Sequence, residues 1–230
     1  MDLIETGITN PIEHWYYKHK FWFIENSHLW KQRDRNILID IGAGSALFSK
    51  QLLQNETIAT AVAVDTGYSN DKDEVRDGVV FRRTSEYRGY SHFLLTDVLE
   101  HIEDDHTFLK QIVDKSDPCS SFLITVPAFM SLWSGHDVYL RHFRRYSKQE
   151  LTNLIVASGL RLVSVRYTYC TVFPLAFIQR KLLARNRISS QLSENNAFVD
   201  RVLRLLLFPD RYFSFFPFGV SIFLEAVKDA

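Results

Sequence analysis

The stretch that most limits what this chain can fold into is Asn36-Ile37-Leu38-Ile39-Asp40-Ile41-Gly42-Ala43-Gly44-Ser45-Ala46. Its apolar residues Ile37, Leu38, Ile39 and Ile41 follow the charged segment 31–35 and stop at glycine. A short apolar run with such borders predicts a strand covered on both faces, as in a parallel sheet. Gly42 and Gly44 permit a tight turn and leave room for a ligand to lie against bare main chain. Ser45 is expected to cap the helix that opens there, with Leu47, Phe48, Leu52 and Leu53 as its inward stripe. Free N–H groups at such a helix start attract the negative or polar end of a ligand.

A second apolar strand follows at 58–64 and ends in Asp65, 21 residues beyond Gly44. An acid at the tip of the second strand is placed to accept both hydroxyls of a ribose. Short Gly-x-Gly turns and strand-end aspartates are each common. Their joint spacing across a strand–helix–strand unit points to an adenosine-type cofactor. A dinucleotide fingerprint would want a third glycine at position 47, which is Leu, so a nicotinamide-dependent oxidoreductase is disfavoured. Asp40 ahead of the turn instead favours a cofactor with an amino-acid tail, whose ammonium Asp40 or nearby carbonyls would help hold. S-adenosylmethionine fits that description.

Composition narrows the class. Lysine plus arginine equals aspartate plus glutamate at 27 each, so no overall field points to nucleic acid. Two cysteines, Cys119 and Cys170, make neither a disulfide framework nor a zinc knuckle, and a reducing compartment fits best. The acidic start of the chain lacks a secretory core, and no uncharged apolar run reaches the ~20 residues of a membrane span. A cytoplasmic protein is expected.

Along the chain, residues 9–32 carry Trp15, Tyr16, Tyr17, Phe21, Trp22, Phe23 and Trp30 at roughly helical spacing. These aromatics either pack a helix onto the sheet or close one side of a pocket. Segment 69–78 reads as polar loop or frayed helix. Further strands are expected at 79–81, 93–97 and 121–127, the last ended by Pro127, with a helix carrying Phe108, Leu109, Ile112 and Val113 between them. Ser147 and Glu150 form a capping box for a helix that Gly159 ends, and 160–169 alternates as a strand near the sheet edge would. His101, between a strand-end acid and a helix, reads first as a helix cap.

Asp40-x-Gly42-x-Gly44, the acid at 65 and Asp97-Val98-Leu99-Glu100-His101 resemble the class I S-adenosylmethionine-dependent methyltransferases. The resemblance extends to a narrower subgroup through Val126-Pro127-Ala128, Leu132-Trp133-Ser134-Gly135-His136-Asp137 and His142-Phe143-Arg144-Arg145-Tyr146. It runs over nearly the whole chain, and the later block is more specific than the glycine turn. The implied fold is α/β: a Rossmann-like seven-stranded sheet with helices on both faces and an antiparallel last strand. One domain is implied over 1–230, made of an N-terminal aromatic cover (1–33), a cofactor core (34–169), a lid-like insertion (170–212) and the final strand (213–230).

The resemblance implies S-adenosylmethionine as cofactor, with S-adenosylhomocysteine as product. Asp40, Gly42, Gly44, Ser45, Asp65, Thr66, Ser85, Asp97 and Val98 would hold it. The loop after the fifth strand would lie over the methyl donor. That makes His136, Asp137, His142 and Tyr146 the catalytic candidates, and Trp22, Trp133, Arg144 and Arg145 the substrate-binding ones. A structural role for His136–Asp137 and for the His-x-Arg-Arg-Tyr string stays open beside the catalytic one. The chain departs from the pattern at Ala46 and Arg141, where glycine is usual, at His92, where an Asp is common, and by lacking an evident acid near Ser85 for the adenine. No metal is expected, because His-Asp-x4-His is not a ligand signature.

The expected function is methyl transfer to a small or lipid-linked acceptor, with a sugar among the candidates. The alternative is a non-catalytic or regulatory domain that only binds the cofactor. The stretch 171–211 is apolar and basic, with seven arginines and lysines against three acids from 175 to 211. It reads as a lid over the substrate, a surface resting on anionic lipid, or a homodimer contact.

Overall fold

The computed structural model describes residues 10–32, 36–69, 73–180, 197–213 and 216–230. Leu182 and Leu183 of the expected lid lie outside them. The elements run α1 (Trp15–Glu25), β1 (Ile37–Ile41), α2 (Leu47–Gln54), β2 (Thr60–Val64), β3 (Glu74–Arg76), β4 (Val79–Arg82) and β5 (His92–Thr96). There follow α3 (Asp105–Lys115), β6 (Ser121–Pro127), α4 (Gly135–Tyr139), α5 (Lys148–Ala157), β7 (Arg161–Thr168), α6 (Phe173–Ile178), α7 (Ala197–Tyr212) and β8 (Ser221–Val227).

The sheet has eight strands in the order β3-β4-β2-β1-β5-β6-β8-β7. β4, β2, β1, β5 and β6 are parallel, and β8 runs antiparallel between β6 and β7. The strand beyond the seven expected is β3, which pairs antiparallel with β4 at the edge and occupies the segment read as loop or frayed helix. Asp77 and Gly78 both have positive φ, 50° and 79°, and join Arg76 to Val79 as a two-residue turn. That geometry matches the right-handed twist of a hairpin, and Asp-Gly is its usual sequence.

Leu38 and Ile39 are fully buried on opposite faces of β1. Ile39, Phe93, Leu95 and Phe122 meet Leu109 and Ile112 of α3 and Leu151 and Ile155 of α5. Leu38, Leu94 and Leu123 meet Tyr17 and Phe21 of α1 and Phe48 and Leu52 of α2. Each such aliphatic side chain contributes roughly 1.5–3 kcal/mol by leaving water. Packing onto the sheet is thus what most of the α1 aromatics do.

Helix ends are set locally. Ser147 and Glu150 form the expected capping box, and Gly159 (φ 93°) follows α5. Two expectations are corrected. α2 starts at Leu47 behind Ala46, which is left-handed (φ 57°) and gives no side-chain cap, so Ser45 is not the cap residue. α3 is capped by Asp104, whose carboxylate accepts from Thr107 N at 3.0 Å, so His101 does not cap it.

Candidate active site

Strand order reverses at β1: β2 and β4 lie on one side of it, β5 and β6 on the other. In open α/β sheets the crevice at the carboxyl ends of the strands flanking such a reversal is where ligands bind. The turn at Gly42 and the bend at Asp97 stand at those ends of β1 and β5.

Gly42 has φ 68°, and a Cβ on it would lie 2.7 Å from Val98 Cγ2. The space that glycine leaves here is therefore filled by Val98, an alternative to the ligand approach expected from sequence. Beyond it, Asp65 reaches back to the turn: Gly44 N donates to its Oδ2 at 2.9 Å and Gly67 N to its Oδ1 at 2.8 Å. Tyr68 fastens the same bend by donating to the Gly44 carbonyl at 2.7 Å. Two backbone bonds leave a carboxylate with further lone pairs for hydroxyls. Asp40 is turned underneath, where its Oδ2 accepts from Ser49 Oγ at 2.6 Å and ties β1 to α2. Ser45 and Thr66 are exposed. Ser85, in the loop after β4, donates to the Glu86 carbonyl and lies 3.0 Å from the Tyr90 hydroxyl.

A cavity of about 20 Å³ lies between Gly42, Ala43, Phe48 and Asp97, with Tyr17 and Lys20 of α1 as its far wall. It has room for roughly one water molecule. The Lys20 ammonium donates to Asp97 Oδ2 and, at 2.9 Å, to the Tyr16 hydroxyl. Thr125 Oγ1 donates to Asp97 Oδ1 at 3.0 Å. Burial alone would lower Lys20 and raise Asp97, but their mutual charge wins and holds Lys20 above and Asp97 below the ordinary values.

A second cluster adjoins the first. Asp137 is fully buried, and its Oδ2 accepts from Ser134 N at 2.9 Å in a capping box on α4. Its Oδ1 takes His142 Nδ1 at 2.9 Å and Arg145 Nε at 2.6 Å. Arg145 goes on to donate to the Ala128 carbonyl at 3.1 Å. Burial opposes the Asp137 charge, yet these partners hold its carboxyl well below the usual range. Tyr146 is buried and donates to Asp105 Oδ2 at 2.7 Å; burial and that carboxylate push its hydroxyl far up, so it keeps its proton. Arg144 pairs with the same Asp105 at 3.0 Å. His136 is buried at the start of α4, and Trp133 is half-buried just before it.

Trp22 lies away from this loop, on α1 beneath the Arg211 guanidinium and beside Tyr212 of α7. Sequence reasoning named Tyr16 within the aromatic cover but missed Lys20 and Thr125, neither of which carries a local signature. It also passed over Glu100, a glutamate set between apolar residues inside the quoted Asp-Val-Leu-Glu-His string and fully buried here. Burial, then the Asp97 charge, push the Glu100 carboxyl well above its ordinary range, while burial and the neighbouring His142 bring His101 down to about 4.

Residues 14–165 match the family model described as a methyltransferase domain. The chain belongs to this methyltransferase family. No curated protein matches the sequence. Among solved structures, the domain is similar to an O-methyltransferase family protein from Burkholderia thailandensis, at 9% identity and a TM-score of 0.59, covering 94% of this chain and 57% of that one. It is also similar to the cyclase SpnF, at 10% identity and a TM-score of 0.55, covering 93% and 80%. A third likeness is to the plantazolicin methyltransferase BamL in complex with a triazolic desmethylPZN analogue and SAH, at 12% identity and a TM-score of 0.53, covering 96% and 86%. At such identities the likeness carries the fold alone. The methyltransferase domain thus shares its sheet with at least one protein named for a different reaction.

Proposed function

We propose that this domain moves a methyl group from S-adenosylmethionine to a small or lipid-linked acceptor by in-line displacement. The observation that carries the reading is the Asp65 carboxylate, fixed 2.9 Å from Gly44 N at the edge of the switch-point crevice. There it can receive the ribose hydroxyls while the bend faces the amino-acid tail. The sulfonium supplies the activated methyl when bound. The chain's own residues align the partners and exclude water.

In this reading Lys20 stands on Asp97 where the polar tail of the cofactor is to lie, so binding requires α1 to shift and release that ammonium. Asp137, Arg145 and Tyr146 act as the frame of the loop over the methyl rather than as proton carriers, since Asp137 is held by Ser134, His142 and Arg145 and the Tyr146 hydroxyl is given to Asp105. An apolar acceptor suits the outer face of α6 and α7, where Leu175, Phe198, Leu205, Leu206 and Phe208 are exposed and Phe208 packs on Tyr212, the neighbour of Trp22. The same face can rest on anionic lipid or pair two copies. No helix among the described residues is long and apolar enough to cross a membrane.

Calorimetric titration of the full chain with S-adenosylhomocysteine and, separately, NAD tests the cofactor assignment. Saturable adenosylhomocysteine binding that Asp65→Ala weakens at least tenfold is expected; preference for NAD overturns it. Co-sedimentation with anionic vesicles tests the lipid contact, and a protein that stays in the supernatant removes it.

A further inference from the structure

We infer that Glu100, His101 and His142 together form a site for one divalent first-row metal ion of the zinc type. The three residues each aim a ligand atom into one spot, and those atoms lie within 4.8 Å of one another. Glu100 is 0% exposed, and among the described residues neither of its carboxylate oxygens has a hydrogen-bond partner on another residue. His101 Nε2 and His142 Nε2 are buried and equally without a partner. Four buried polar atoms without a partner, gathered in one place, are a costly arrangement. One bound cation would engage one ligand atom from each of the three residues.

The surroundings are those of a metal site rather than of a packing accident. A ligating imidazole holds its other ring nitrogen on a carboxylate or a backbone carbonyl, which fixes its tautomer and aims the free nitrogen. His142 does so through Nδ1 on Asp137 Oδ1, itself held by Arg145 Nε. The main chain joins the two sides, with Phe143 N donating to the Glu100 carbonyl at 2.7 Å. Two imidazoles and one carboxylate suit zinc, cobalt or iron(II), whereas magnesium and calcium prefer oxygen throughout.

Ligands on a tetrahedral ion at ~2.1 Å stand about 3.4 Å apart, so side-chain rotations of about an ångström close the set. Three protein ligands leave one position open for water or for an acceptor oxygen. Asp137 is not one of the ligands and supports His142 from behind. The inference rests on this cluster alone and does not need the methyl-donor reading.

The test uses the full chain stripped with a chelator and titrated with cobalt(II), followed by its visible absorption, with elemental analysis for stoichiometry. One equivalent bound in a low-symmetry, intensely absorbing form and displaced by zinc is expected. Glu100→Gln and His101→Gln should each abolish the band, and Asp137→Asn should weaken binding by about 10–100-fold. A wild-type protein that binds no stoichiometric cobalt or zinc overturns the site, as does wild-type-like binding in both glutamine variants. Should a variant unfold by circular dichroism, anomalous scattering from a zinc-soaked wild-type crystal decides. A peak among the three ligand atoms supports the site, and its absence there refutes it.

Discussion

The bend at 42–46 is held by main chain, whereas the loop at 128–146 is held by buried charge. At the bend, a backbone N–H meets the half-exposed Asp65 and a glycine admits Val98. In the loop, one fully buried carboxylate, Asp137, carries Ser134, His142 and Arg145 together. The first arrangement tolerates movement of what lies over it, because its bonds run along the strand ends. The second does not, since removing any partner strands a charge away from water. In the proposed function a cofactor enters and leaves the first region, while the second keeps its shape around the reacting atoms.

The largest expected effect breaks the loop. Asp137→Ala leaves the Arg145 guanidinium, 4% exposed, without its carboxylate and should destabilise the protein by about 3–5 kcal/mol in urea unfolding. A loss below ~1 kcal/mol would mean that the hub is not what holds the loop. Next comes the bend: Gly42→Ala puts a methyl 2.7 Å from Val98 Cγ2 at positive φ and should cost about 1–3 kcal/mol by the same assay. A neutral Gly42→Ala would return that space to a ligand.

The smallest effects have the opposite sign and fall one in each region. Ala46 and Arg141 both sit at left-handed φ, 57° and 58°. Ala46→Gly and Arg141→Gly should therefore each stabilise by up to about 1 kcal/mol. A decrease in melting temperature for either would show that its side chain makes contacts worth more than the backbone strain.

This contrast also explains what was legible in the sequence. The bend could be read because main-chain demands write themselves in short spacings: glycine where φ is positive, an acid at a strand tip, and an apolar run with Leu38 and Ile39 buried on opposite faces. Edge strand β3 was missed although Asp77-Gly78 carries its turn, because a lone Val75 between Glu74 and Arg76 gave no apolar alternation to support it. The loop was legible only as a resemblance. Asp137, His142 and Arg145 are joined through side chains, and no periodicity encodes that. Lys20 was invisible for a further reason: its partner Asp97 lies 77 residues away, and a lysine in an aromatic helix looks like a solvated one.

The central claim, that the bend and Asp65 grip an adenosyl cofactor, is tested most directly by a crystal structure of the full chain with S-adenosylhomocysteine. The account predicts ribose hydroxyls on the Asp65 carboxylate, the amino-acid tail beside Gly42 and Asp97, and Lys20 displaced from Asp97. Ligand density elsewhere, or in that crevice with the Lys20–Asp97 pair intact and Asp65 untouched, would contradict it.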